Sequence, residues 1–97
     1  MTVKEFIQAI DDGNFCSLGD IKSIEGDFEC VSEHQDLNQH YWYSTAVDVY
    51  KLEDGFVGVW GLFQIFSETS IASDFGITCK AFEMEAVPSI TYREKAI

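Results

Sequence analysis

The residues able to do chemistry are few, and their spacing narrows what that chemistry could be. Cys30, His34, Asp36 and His40 form the only mixed group of metal-ligating types, and thiolate with imidazole suits zinc. The spacing is Cys-x3-His-x5-His with no second cysteine pair, and the hydrophilic stretch over 35–39 reads as an ordinary loop. Two solvated loop histidines and a half-buried thiol are the simpler reading, so no metal and no cofactor are expected. A Cys–His nucleophilic pair from the same residues would need a third orienting group and a pocket. Glu83 and Glu85 could serve as acid and base if one were buried. They alternate with Phe82 and Met84, which places them on the solvated side of a strand. Gly55, Gly58 and Gly61 fall just before and inside a strand rather than between a strand and a helix, so they cannot cradle a phosphate. Close packing or a bulge is their expected role. No Walker loop, dinucleotide fingerprint, nucleophile elbow or metalloprotease helix is present. No enzymatic activity is expected.

What remains is the pattern of acids. Residues 1–54 carry twelve acids and three bases, against five and three over 55–97. Asp20, Glu25, Asp27, Glu29, Glu33 and Asp36 stand against Lys22 alone, and Glu25, Asp27, Glu29 and Glu33 share one parity. In an extended chain alternate residues project from one face about 6.6 to 6.8 Å apart. That approaches the separation of phosphates on a nucleic-acid strand, which advances about 3.4 Å per nucleotide along its axis. A row so spaced can meet the lysines and arginines of a nucleic-acid groove. Gly26 is expected to turn the chain and divide the row, and Lys4, Lys22 and Lys51 interrupt it. A solubilising outer face is the plain alternative. The aromatic run His40-Tyr41-Trp42-Tyr43, with Phe56, Trp60, Phe63 and Phe66, adds rings of the kind that anchor interfaces. Most of these should be core, with Tyr41 and Trp42 offered to a partner.

The elements that must position these residues begin with a helix. Thr2 and Glu5 form a capping box, Val3, Phe6, Ile7 and Ile10 make one apolar stripe, and Asp12-Gly13 supplies a left-handed exit. After Leu18 the chain reads as strand, over 20–24, 28–34, 39–52, 56–67, 77–86 and, past Pro88, 89–92. Glu53-Asp54-Gly55 is a strong hairpin turn and Glu25-Gly26-Asp27 a weaker one; residues 67–76 form a polar loop or a single helical turn. The strand after Gly55 is apolar on both faces, hence central or docked on one side. Pro88 marks an edge, a bulge or a strand end. The expected class is α+β, one N-terminal amphipathic helix packed on a twisted antiparallel sheet of four or five strands, as a single domain over 1–97. Hydrophobic residues at 46% suffice for a core; a chain this short buries roughly 60 to 70% of its unfolded surface.

The net charge of −11 argues against direct binding of nucleic acid or an anionic membrane. No stretch approaches the roughly 20 apolar residues of a bilayer span, and the start lacks a signal peptide's basic end and apolar run. Three unpaired cysteines, Cys16, Cys30 and Cys79, suit a reducing compartment. A soluble protein of the bacterial cytoplasm, monomer or homodimer, is expected.

Small size, strong acidity, one capped helix on a sheet and the acids Asp20, Glu25, Asp27, Glu29, Glu33 and Asp36 together resemble the small anti-defence proteins of phages and mobile elements, including anti-CRISPR inhibitors. The resemblance implies a non-catalytic inhibitor. It would occupy a basic nucleic-acid channel of a bacterial nuclease or RNA-guided defence complex, with carboxylates in the role of phosphates and aromatics as anchors. A toxin-immunity protein matched to one basic nuclease is the nearest alternative. A small-molecule-binding domain, its pocket lined by Tyr50, Trp60 and Phe63, is another.

Overall fold

A computed structural model describes residues 1–66, 76–87 and 91–95. Helix α1 spans Val3–Gly13, and its capping box is complete: Glu5 N–H donates to Thr2 Oγ1 at 3.2 Å and Thr2 N–H to Glu5 Oε1 at 2.9 Å. Val3, Phe6 and Ile10 are buried along one stripe. Asn14, not Gly13, adopts the left-handed exit, with φ 51°. Asparagine tolerates that conformation. At Gly13 an added Cβ would lie 2.2 Å from the Phe15 ring, which would have to move aside.

The segment expected as a strand over 20–24 is instead a 3₁₀ helix, Leu18–Ser23, capped by Ser17, whose side chain accepts Gly19 N–H at 3.3 Å. Leu18, Ile21 and Ile24 recur every third residue, the period of a 3₁₀ turn, and so share one inward face. Glu25-Gly26-Asp27 is consequently a link from helix to strand rather than a hairpin. Gly26, at φ 143° and with Met1 Cε 2.8 Å from where a Cβ would sit, requires glycine.

The sheet has five antiparallel strands in chain order, β1 (Glu29–Gln39), β2 (Tyr43–Leu52), β3 (Gly55–Ile65), β4 (Lys80–Val87) and β5 (Thr91–Glu94). This is the expected α+β class, with the doubly apolar β3 at the centre. Glu53 and Asp54 make the tight β2–β3 turn, and Asp54 Oδ1 accepts Val3 N–H at 2.7 Å. That contact satisfies an orphan donor at the positive end of α1. Gly58 and Gly61 prove to be close-packing positions: an added Cβ would stand 2.3 Å from Met84 Sδ and 2.6 Å from Cys79 Sγ respectively.

Period-two alternation sorts β2 and β3 between two cores. Ala46, Tyr50, Leu52, Val57 and Val59 pack under α1 and the 3₁₀ helix with Phe6, Ile10, Leu18 and Ile21. Val47, Val49 and Met84 form a second cluster on the other face, with Val31, Phe56, Trp60 and Phe82 against it. Cys79 is buried beside Gly61, and burial pushes its thiol up to about 12. The polar connection expected over 67–76 lies outside the described residues apart from Gly76, and so does Pro88. Among the described residues no helix is long and apolar enough to cross a membrane.

Candidate functional site

The site grows from one residue, Asp48. Period two places it on the helix face of β2 with Ala46 and Tyr50, where it is only 6% exposed. A carboxylate so placed needs a donor. The His34 backbone N–H supplies it at 2.8 Å to Oδ1. His34 Nδ1 lies 3.2 Å from the same oxygen but off the line a hydrogen bond requires, so this contact is ionic when the imidazole is protonated. Turning that N–H inward distorts β1: its register against β2 slips between Cys30 and Ser32, between Ser32 and Gln35, and between Gln35 and Asn38. His34 and Asp36 take positive φ, 55° and 54°. The stretch expected as a free loop over 35–39 is therefore an irregular continuation of the edge strand, with Asn38 still opposite Thr45 and Gln39 opposite Ser44.

Beside Asp48 opens a cleft of about 480 Å³ between the 3₁₀ helix and strands β1 to β3, lined by Lys22, Phe28, Cys30, Glu33, His34, Asp48, Tyr50 and Phe63. The His34 and Phe63 rings pack with centroids 3.9 Å apart. Burial, and then the negative charge of Asp48 and Glu33, pushes the Cys30 thiol up. Burial and the same two carboxylates, with Cys30 between them in weight, hold the Tyr50 hydroxyl far above its ordinary range. Both groups stay neutral in a cleft whose field is negative. Tyr50 and Phe63 thus share a pocket as the small-molecule reading expected. Trp60 does not, because it points to the opposite face, where Lys80 Nζ stands 5.8 Å from its ring.

The six acids singled out in the sequence, Asp20, Glu25, Asp27, Glu29, Glu33 and Asp36, are all exposed, on the 3₁₀ helix, the link after it and β1. None of them is ion-paired among the described residues. They do not form one row. Glu29 stands opposite Lys51 on the face of Val47 and Val49, and with Asp27 it borders a groove at the β2–β3 turn. The slip after Cys30 reverses parity, so Glu33 opens on the helix face into the cleft. The even spacing expected of an extended chain is broken by that bulge, as Gly26 breaks it earlier.

Tyr41 and Trp42 are not in a strand. They form the tip of the β1–β2 hairpin, closed by His40 N–H donating to Tyr43 O at 2.7 Å and braced by Phe66 N–H donating to Trp42 O at 2.8 Å. Tyr41 is 84% and Trp42 53% exposed, their rings edge to face at 4.6 Å. Leu37, Phe63 and Phe66 are also exposed. His40 stacks on Tyr43, away from His34's contacts with Asp48 and Phe63. Among the described residues no group of three or more His, Cys, Asp or Glu could hold a metal ion. Glu83 is exposed and paired to Lys95 at 2.8 Å. Sequence reasoning did not single out Asp48 as a site residue; its signal was a lone carboxylate on the same strand face as Ala46 and Tyr50. No protein-family model, curated protein or solved structure matches this chain.

Proposed function

We propose that the protein is a non-catalytic inhibitor that docks its acidic edge on a basic nucleic-acid-binding surface of a bacterial defence nuclease complex, in the manner of anti-CRISPR inhibitors. The observation that carries this reading is the set of six exposed carboxylates on the 3₁₀ helix, the link after it and the edge strand β1, none of them ion-paired among the described residues. Their mutual repulsion opposes folding and adds nothing to either core, and a cationic surface relieves it. Two short acidic patches, one before and one after the bulge at Cys30, take the place of a continuous row. Tyr41 and Trp42 at the hairpin tip supply rings that a partner can desolvate. Opposite charge speeds association, and salt weakens it beyond the Debye length of about 8 to 10 Å. The slips and acids of β1 discourage pairing with a second copy at that edge.

The test is capture from lysates of bacteria carrying RNA-guided defence systems, at low and high salt, followed by competition of the captured complex with its own nucleic acid. Recovery of such a complex, with its nucleic acid displaced by this protein, supports the reading. Recovery of a single toxin nuclease replaces it with an immunity function, and binding that does not compete with nucleic acid refutes the mimic mechanism.

A further inference from the structure

The acidic edge reading leaves the cleft unused, although its chemistry is more specific than the edge's. Asp48 is buried under the 3₁₀ helix, yet only Oδ1 accepts a hydrogen bond. Among the described residues Oδ2 has no hydrogen-bond partner. A carboxylate oxygen without a donor among them can take one from outside the chain. Lys22 lines the same cleft but pairs with neither Asp48 nor Glu33. Two carboxylates, Asp48 and Glu33, face one ammonium, Lys22, across the cleft.

Shape narrows the donor. Phe63, exposed, presents its ring to the same space as Asp48 and Glu33, and the buried Tyr50 closes the floor. A planar cation can lie against such a ring and hydrogen-bond to carboxylates through its edge, whereas an ammonium is a point charge with a tight hydration shell. The volume of about 480 Å³ admits a guanidinium and its aliphatic stem.

We propose that the cleft binds the guanidinium of an arginine carried by the basic partner, with Asp48 Oδ2 and Glu33 accepting its N–H donors and the Phe63 ring edging one of its faces. The assignment rests on the acidic-edge reading for the source of the arginine, but the chemistry can be tested without any partner. The probe is N-acetyl-arginine-methylamide titrated into the full ¹⁵N-labelled chain, followed by amide shifts. Saturable shifts at His34, Asp48 and Tyr50 are expected, with the capped lysine analogue several-fold weaker. Asp48→Asn retains an acceptor for His34 N–H and should weaken binding about tenfold or more, as loss of a charge-assisted hydrogen bond predicts. Glu33→Gln should weaken it by a smaller factor, and Lys22→Ala should tighten it. Should Asp48→Asn fail to fold, the exposed Glu33→Gln carries the comparison alone.

Absence of saturable shifts in the wild-type chain overturns the site, as does equal binding by wild type, Asp48→Asn and Glu33→Gln. Free arginine has the same net charge but adds a charged ammonium and carboxylate that a chain-borne arginine lacks, so the capped form should bind at least as tightly. Tighter binding of the free amino acid would overturn the protein-borne source. None of these outcomes depends on the competition with nucleic acid, so failure of the cleft and failure of the edge are separate results.

Discussion

The centre and the free edge of the sheet were built by different rules. Between β2 and β3 the register slips once, near the end of the pair, and every residue from Ser44 to Tyr50 is buried. Between β1 and β2 it slips three times, and β1 ends in a run of exposed residues. At the centre, alternating apolar residues on both faces make a one-residue slip costly, because it would turn every side chain to the wrong core. β1, reading Glu-Cys-Val-Ser-Glu-His-Gln-Asp-Leu-Asn-Gln, has no such pattern. Its path answers to one buried carboxylate and a hairpin tip. The part of the sheet least constrained by packing is the part free to carry a site.

The largest effect should come from the centre's support. Phe6 is fully buried and packs against Phe28 and Tyr50 with ring centroids 5.0 and 5.4 Å away. Phe6→Ala should cost about 3–5 kcal/mol of stability in urea denaturation. A matched pair of substitutions probes the contrast itself. Gly61→Val must push aside Cys79 and Leu18 and should cost about 1–3 kcal/mol. Adding the same side chain at exposed Asn38 in β1 should stay within about 0.5 kcal/mol of wild type. Comparable losses at both positions would erase the distinction drawn between centre and edge.

Asp48 is where the two regions meet. Asp48→Ala leaves the His34 N–H without its acceptor and should cost about 1–3 kcal/mol, while Asp48→Asn should cost less because an amide oxygen can still accept. Amide exchange at His34 should accelerate in the alanine variant more than in the asparagine one. The smallest effect concerns α1. Hydrogen bonds from the Thr2 backbone, and then from its side chain, hold Glu5 below the usual carboxylate range. A folded-state value below the unfolded one means a stabilising contribution that is present above the unfolded pKa and lost as pH falls through the folded one. Melting temperatures from pH 7 down to 3 should therefore fall less steeply in Glu5→Gln than in wild type.

The legible parts of the sequence were those where several local signals agreed. Thr2 and Glu5 with the stripe Val3, Phe6 and Ile10 specify α1, and Glu53-Asp54 between two apolar runs specifies the central hairpin. The 3₁₀ helix was missed although Leu18, Ile21 and Ile24 stand three apart, because three apolar residues over one short segment are too few to establish a period. The β1–β2 turn was hidden because Tyr41 and Trp42 are strand-favouring residues at a bend that is held by the backbone bond from His40 to Tyr43. Exposure of the six acids was readable from charge alone. Their division between two faces was not, since it depends on the bulge after Cys30, which follows from the inward pull of Asp48 on His34 across fourteen residues of chain. The cleft was invisible for a related reason: its residues come from the 3₁₀ helix and three strands and meet only in the folded sheet.

The most direct test of the edge is a variant carrying Glu25→Lys, Asp27→Lys and Glu29→Gln. None of these positions lines the cleft, and glutamine at 29 avoids a like-charge pair with Lys51. Its competition with nucleic acid for the captured defence complex should be compared with that of wild type at matched salt, with melting recorded alongside. The acidic-edge account predicts that competition is lost while the melting temperature holds. Undiminished competition by the variant would contradict it.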